Sequence, residues 1–219
     1  MSYIIYHPKR DCSIVKKIGK VYHDSFFGNQ DPYIWSSPFL HSFCHITQIK
    51  KAVDQINFWC SGDTYPNFEK LYCDLVFKVA TVHEWSDRNS ISKTDPIVDN
   101  KQSYNHHYRW VRQHLFKGKK RPKKRITLKA CKELSFKPQN EKQELIDIIQ
   151  FLSKKGITIK QLRSSISMNS KGNAAFPSRP FELDEKIAVE LYEFLLKAKR
   201  NFFCKDLADK YPEKRIKCP

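Results

Sequence analysis

The sequence predicts an α+β protein: a mixed or antiparallel twisted sheet over residues 1–138, followed by a helical region over residues 139–219. Three observations predict it. Short apolar stretches rich in β-branched and aromatic residues recur through the first part, with turn formers between them. The apolar period changes to helical spacing near residue 138. Hydrophobic residues make up 40% of the chain and aromatic ones 13%, enough to bury the face of a sheet under helices.

The expected strands are residues 3–6, 43–49, 56–60, 71–82 and 125–128. Gly28-Asn29, Asp31-Pro32, Ser61-Gly62-Asp63, Pro66-Asn67 and Asp95-Pro96 separate them as turns. Residues 71–82 are nearly all apolar, which marks a central strand buried on both faces and a hairpin partner for the strand ending at Trp59. Residues 49–55 predict a short helix, with Ile49, Val53 and Ile56 on one side. Further on, Leu145, Ile148, Ile149 and Leu152 share one helical face, with Asn140 to cap the start and Gly156 to end it. Ile159, Leu162 and Ile166 predict a second short helix, and residues 167–180 a polar loop. Ile187, Ala188, Leu191, Phe194, Leu195 and Ala198 form the stripe of a last helix opened by Asp184.

Charge points to the partner. Lys and Arg number 40 against 23 Asp and Glu, a formal net charge of +17. Seven of the positive charges fall in one segment: Lys117, Lys119, Lys120, Arg121, Lys123, Lys124 and Arg125. Gly118 and Pro122 prevent a regular helix there, so the segment stays extended until an anion neutralises it. Phosphate contacts release counterions and make such binding strong at low salt, without reading sequence. A nucleic acid is the expected partner, DNA favoured over RNA; a solvated hairpin tip is the alternative reading of the segment.

No apolar run is long enough to span a bilayer, and the N-terminus lacks the apolar segment of a signal peptide, so a cytoplasmic protein with no membrane partner is expected. The seven cysteines are odd in number and form no CxxC pair, which predicts free thiols, no structural disulfide and no zinc. His41, Cys44 and His45 lie close together, but His41 and Cys44 would face opposite sides of a strand. No Walker loop, dinucleotide fingerprint, nucleophile elbow or zinc-deaminase pattern is present, and no cofactor is expected.

Three segments stand in order: Ser37-Pro38-Phe39 through Cys44 to Lys50-Lys51, Phe58-Trp59-Cys60-Ser61-Gly62-Asp63, and Leu75-Val76-Phe77-Lys78-Val79 through Glu84-Trp85. Together they resemble the nucleotide-modification-associated domains, small α+β domains of phage and bacterial gene clusters for DNA base hypermodification. The resemblance covers about residues 35–136. It implies a compact PUA-like sheet fold and an association with modified nucleotides, in the setting of base hypermodification or antiviral defence.

The residues themselves offer a candidate site. Ser61 and Asp63 lie in a turn after a strand, where Asp63 or Asp74 would position a water, and Gly62 would allow close approach of a ligand. An ordinary hairpin with Asp63 bonded locally is the competing reading. Trp35, Trp59, Tyr108 and Trp110 are the candidate walls for a flipped base. Arg109, beside His106 and His107, and the basic segment from Lys117 to Arg125 are the candidate phosphate ligands. Trp35, Trp59, Ser61, Asp63, Tyr108 and Arg109 are expected to converge on one pocket. Residues 144–166 also have the outline of helix, turn and second helix, with Lys160 and Arg163 directed outward, although paired short helices are commonplace in cores. The expected function is recognition of a modified or flipped base, with glycosylase-like base excision or base modification as the chemistry. A non-catalytic reader and an RNA-binding accessory protein are the alternatives.

Overall fold

A computed structural model describes residues 1–7, 11–15, 19–23, 41–42, 52–64, 67–85, 125–131, 133–165, 180–200 and 215–217. The strands before the basic segment are β1 (Ser2–His7), β2 (Asp11–Val15), β3 (Gly19–His23), β4 (His41–Ser42), β5 (Ile56–Gly62) and β6 (Leu71–Trp85). After it come β7 (Arg125–Ala130), β8 (Lys137–Pro138), β9 (Ile146–Asp147), α1 (Ile149–Lys154), α2 (Ile159–Ser164), β10 (Phe181–Leu183), α3 (Glu185–Leu196), β11 (Lys199–Arg200) and β12 (Arg215–Lys217).

The fold is α+β around a mixed sheet. Its strand order is β10-β1-β5-β6-β7-β4, with β9 added beside β6. β1 runs parallel to β5, and the other pairs of this sheet are antiparallel. β5 and β6 are partners, with Phe58 opposite Val76 and Trp59 opposite Leu75.

Alternation of side chains divides the sheet into two buried faces. Ile4, Tyr6, Phe58, Cys60, Cys73 and Val76 pack under the helices, against Ile148, Leu152, Leu162, Ala188, Leu191 and Leu195. Tyr3, Ile5, Trp59, Leu75, Phe77, Val79 and Leu128 form the core of the opposite face. Burying each such large apolar side chain contributes roughly 1.5–3 kcal/mol. Residues from both sides of position 138 share the first cluster. β10 also comes from the C-terminal part and extends the sheet beside β1, with Ser2 opposite Leu183.

The opening of α1 differs from the sequence reading. Ile146 and Asp147 pair with Cys73 and Tyr72 as a strand, and the helix begins only at Ile149. The spacing of Leu145, Ile148, Ile149 and Leu152 fits one continuous helix, but the open edge of β6 takes the first turn as β9. Asp147 makes the change of direction, its Oδ1 accepting from Leu71 N–H at 3.2 Å and Ile149 N–H at 3.0 Å. Asn140 caps a local turn instead, accepting from Glu144 N–H at 2.9 Å. Gly156 stops the helix at φ +79. α2 carries a capping box between Thr158 and Gln161. Asp184 caps α3, its carboxylate accepting from the N–H groups of Lys186 and Ile187.

Residues 52–55, expected at the end of a short helix, form a turn. Asp54 has φ +67, and its N–H donates to Val79 O at 2.9 Å, so the chain reverses into β5. Asp tolerates this left-handed region because its short side chain bonds locally.

β12, β2 and β3 form a separate three-stranded sheet. It docks on the 137–144 segment: Lys20 N–H donates to Gln143 Oε1 at 2.7 Å, and Lys137 Nζ donates to Tyr22 O at 3.1 Å. Cys12, in β2, is disulfide-bonded. This corrects the expectation of no structural disulfide. Local spacing reports only cysteines close in sequence, and no other cysteine lies near Cys12 in the chain. Cys60, Cys73 and Cys131 are free. No group of three potential metal-ligating residues occurs among the described residues. No helix among them is long and apolar enough to cross a membrane.

Candidate functional site

β5 ends at Gly62, and the chain turns at Asp63 into the loop that returns as β6. The Asp63 carboxylate organises that loop. Its Oδ1 accepts from the backbone N–H groups of Thr64 at 3.0 Å, Glu69 at 2.9 Å and Lys70 at 3.1 Å. The Asp63 N–H donates to Lys70 O at 3.2 Å. Burial pushes its carboxyl up, but the N–H groups of Lys70, Glu69 and Thr64 outweigh that and hold it below the usual carboxylate value. The local hydrogen-bonding role of Asp63 is therefore present in full.

The space beside Gly62 is taken by the protein itself. A Cβ at Gly62 would lie 2.4 Å from Phe68 Cβ, so the glycine admits the Phe68 side chain rather than a ligand. Phe68 is fully buried, and its ring stacks on Tyr6 with centroids 5.5 Å apart. Arg163 of α2 closes the arrangement: its Nε and Nη2 donate to Phe68 O at 3.0 and 2.6 Å, and Nη2 also reaches Asn67 O at 3.1 Å. Its guanidinium lies 5.8 Å from the Phe68 ring centroid. The outward direction expected of Arg163 in a helix-turn-helix is thus replaced by a grip on the β5–β6 loop, while Lys160 is exposed.

Asn57, Trp59 and Ser61 alternate on β5 and share the face opposite the helices. Trp59 is 1% exposed within the second core, so a base could stack on it only by displacing packed side chains. Ser61 is likewise buried. Asp74 is the extra residue of a β-bulge: Trp59 pairs with Leu75 and Cys60 with Cys73, which leaves Asp74 between two pairs. It is 0% exposed, a carboxylate set in the centre of the sheet. Burial, then the hydrogen bond to Cys73, then the nearby charges of Cys73 and Asp74 raise the Cys60 thiol well above its usual value.

Asn57 was not singled out by the sequence. It is 1% exposed, and its Oδ1 accepts from Gln55 Nε2 at 2.8 Å. Its Nδ2 has no partner among the described residues, an arrangement that costs about 1–3 kcal/mol for a buried donor. The only signal for it in the sequence was a polar residue inside an apolar strand.

The structure thus brings Trp59, Ser61, Asp63 and Asp74 to one end of β6. Arg125 opens β7 and pairs with Trp85 at the other end of that strand. β6 has 15 residues, which at the usual rise separates the two ends by roughly 45 Å of strand. Trp35, Tyr108, Arg109, Trp110, Lys117, Lys119, Lys120, Arg121, Lys123 and Lys124 lie outside the described residues, as do His45 and Cys44. Comparison with family models, with curated proteins and with solved structures finds no match.

Proposed function

We propose that the protein binds nucleic acid, DNA in preference to RNA, and holds a modified or flipped base against a PUA-like sheet in the setting of base hypermodification or phage defence. The observation that carries the reading is the charge: +17 overall, with seven positive residues between Lys117 and Arg125. The topology supports it, because β6 and β7 are antiparallel partners and β7 begins at the last of those charges. If the protein is an enzyme, excision or modification of the base is the favoured chemistry. Asp63 and Asp74 are then the candidates to position a water, although the Asp63 carboxylate also holds three N–H groups of its own loop.

That engagement favours a second reading, a modified-base reader without catalysis. In it Asp63 shapes the loop and no carboxylate need act on the substrate. One experiment tests the binding and separates the two readings. The protein is titrated against plain and modified phage DNA and an RNA of equal length at several salt concentrations, and the products are examined by mass spectrometry for released or altered bases. Binding with a steep salt dependence is expected, weakened when Lys119, Lys120, Lys123 and Lys124 are neutralised together. Released bases identify the enzyme; preference for modified DNA without release identifies the reader. Absence of binding at low salt overturns both.

A further inference from the structure

Two thiols face one another beneath the helices. Cys60 of β5 stands directly opposite Cys73 of β6, and both are free and 0% exposed. Neighbouring bonds fix the kind of pair they form. Leu71 N–H donates to Asp147 Oδ1, and Leu71 O accepts from Ile148 N–H at 2.8 Å, so the Leu71 backbone is directed away from β5. Two residues on, the backbone of Cys73 takes the same direction. Cys60 and Cys73 are therefore a non-hydrogen-bonded pair of the ladder, with Cα atoms about 4.5 Å apart and side chains drawn close. A disulfide spans ~4.4–6.8 Å between Cα atoms, so the bond can close without parting the strands. The Cys60 thiol is hydrogen-bonded to Cys73 as it stands.

We propose that Cys60 and Cys73 are a latent redox pair: when the helical layer opens, a peroxide oxidises them to a disulfide that locks the β5–β6 hairpin. The position of the pair supplies both halves of the device. In the closed state the sulfurs donate to backbone carbonyls, Cys60 to Phe58 O at 3.7 Å and Cys73 to Leu75 O at 3.6 Å. Leu152, Leu162, Leu191 and Leu195, from all three helices, share their core cluster. The thiolate is the form that attacks a peroxide, and a thiol shut away from water keeps its proton. Oxidation therefore waits on local opening of the helices, which takes less free energy than global unfolding. Once formed, the bond ties together the two ends of the connection that carries Asp63 and Phe68, beside the bulge at Asp74, and limits how far that loop opens.

The chemistry is a two-electron oxidation by a hydroperoxide. One cysteine gives up its proton and its sulfur attacks a peroxide oxygen; the O–O bond breaks, a sulfenic acid forms and water leaves. The second thiol attacks that sulfur, the S–S bond forms, and the hydroxyl departs as a second water with the remaining thiol proton. Two electrons pass from the cysteines to the peroxide. The inference is independent of the nucleic-acid reading, since it involves no ligand of the protein.

The test uses the full chain, treated with hydrogen peroxide in buffer and in urea below the unfolding midpoint. The protein is then unfolded, blocked with N-ethylmaleimide, taken from the single-chain band of a non-reducing gel and digested with trypsin. Residues 52–70 linked to residues 71–78 are the expected product, formed at least fivefold faster in urea and returned by dithiothreitol to two separate peptides. Cys60 and Cys73 found alkylated or carried on to sulfinic acid, or either found linked to Cys131, overturns the pair. A rate in urea equal to that in buffer overturns the gating by the helices. Hydrogen exchange tests the lock: residues 67–70 should exchange at least tenfold more slowly in the linked protein, and Cys60→Ala or Cys73→Ala should abolish the slowing. A linked protein whose loop exchanges at the reduced protein's rate overturns the lock.

Discussion

The two ends of β6 are built on opposite principles. At the Leu71 end, polar groups are spent on the protein itself. Asp63 holds three backbone N–H groups, Arg163 grips two carbonyls, and Asp147 joins the Leu71 N–H to the start of α1. Phe68 and Tyr6 fill the space between them. At the Trp85 end the strand pair leads toward a segment whose charges have one sign, and like charges cannot satisfy one another. A site that satisfies its own polar groups stabilises the fold, whereas a run of like charges in the sequence is the proposed contact for an external anion. The comparison predicts that substitutions at the first end change stability and spare nucleic-acid binding, and that those at the second end do the reverse.

The largest expected effect on binding comes from the charged end. Replacing Lys119, Lys120, Lys123 and Lys124 by Gln should flatten the plot of log affinity against log salt by roughly 0.9 for each phosphate that the protein no longer neutralises. Melting temperature should hardly move. A large fall in melting temperature with an unchanged salt slope would invert the comparison.

The largest expected effect on stability is Phe68→Ala at the closed end. Phe68 is 0% exposed, and truncating a buried Phe costs roughly 3–5 kcal/mol. Chemical denaturation measures it. A cost below about 1 kcal/mol would mean that the loop packs loosely and that its Asp63 is available for other work.

Asp63→Asn should cost less, about 1–2 kcal/mol, because the acceptor remains but loses its charge while partly in contact with water. The effect has a definite pH sense. The folded carboxyl lies below its ordinary value, so its contribution is present at pH values above about 3.9, the unfolded value, and disappears as pH falls through the folded pKa. The Asn variant should therefore show a flatter loss of stability with acid than the parent, and the two curves should meet at low pH. Curves that stay parallel throughout the acid range would remove Asp63 from the loop's electrostatics.

Legibility in the sequence followed the same division. β1, β5, β6, β7 and the stripe of α3 were readable because period and composition report burial directly. The strand at Ile146–Asp147 was not, since residues spaced for a helix also suit a short strand followed by a helix, and only the open edge of β6 decides between them. β10 was hidden for a similar reason: Phe181–Leu183 is three residues long and gains its partner, β1, from the far end of the chain. Ser61 and Asp63 were picked out by the turn they occupy at the end of a strand, and Asp74 as a second carboxylate able to position a water. Their environments depend on Phe68, Arg163 and the bulge at Asp74, which no local pattern encodes.

The smallest expected effect discriminates most sharply, because the two readings of the α1–α2 region assign Arg163 to different partners. In a helix-turn-helix, a second-helix arginine faces a DNA groove. Here its guanidinium donates to the carbonyls of Phe68 and Asn67. Arg163→Lys keeps the charge and removes the fork, since an ammonium is a compact point charge and cannot reproduce a planar pair of donors. One backbone carbonyl then loses its partner in a half-buried position, which costs on the order of 1 kcal/mol. For a chain of this size that lowers the melting temperature by roughly 2–4 °C. DNA affinity at fixed salt should stay that of the parent, because the charge is retained and the side chain meets the loop rather than phosphate. Lys160→Ala, on the exposed side of the same helix, should leave stability within about 0.5 kcal/mol. A melting temperature equal to the parent's in the Arg163→Lys protein, together with a several-fold loss of DNA affinity, would release Arg163 from the loop and move the nucleic-acid interface onto α2.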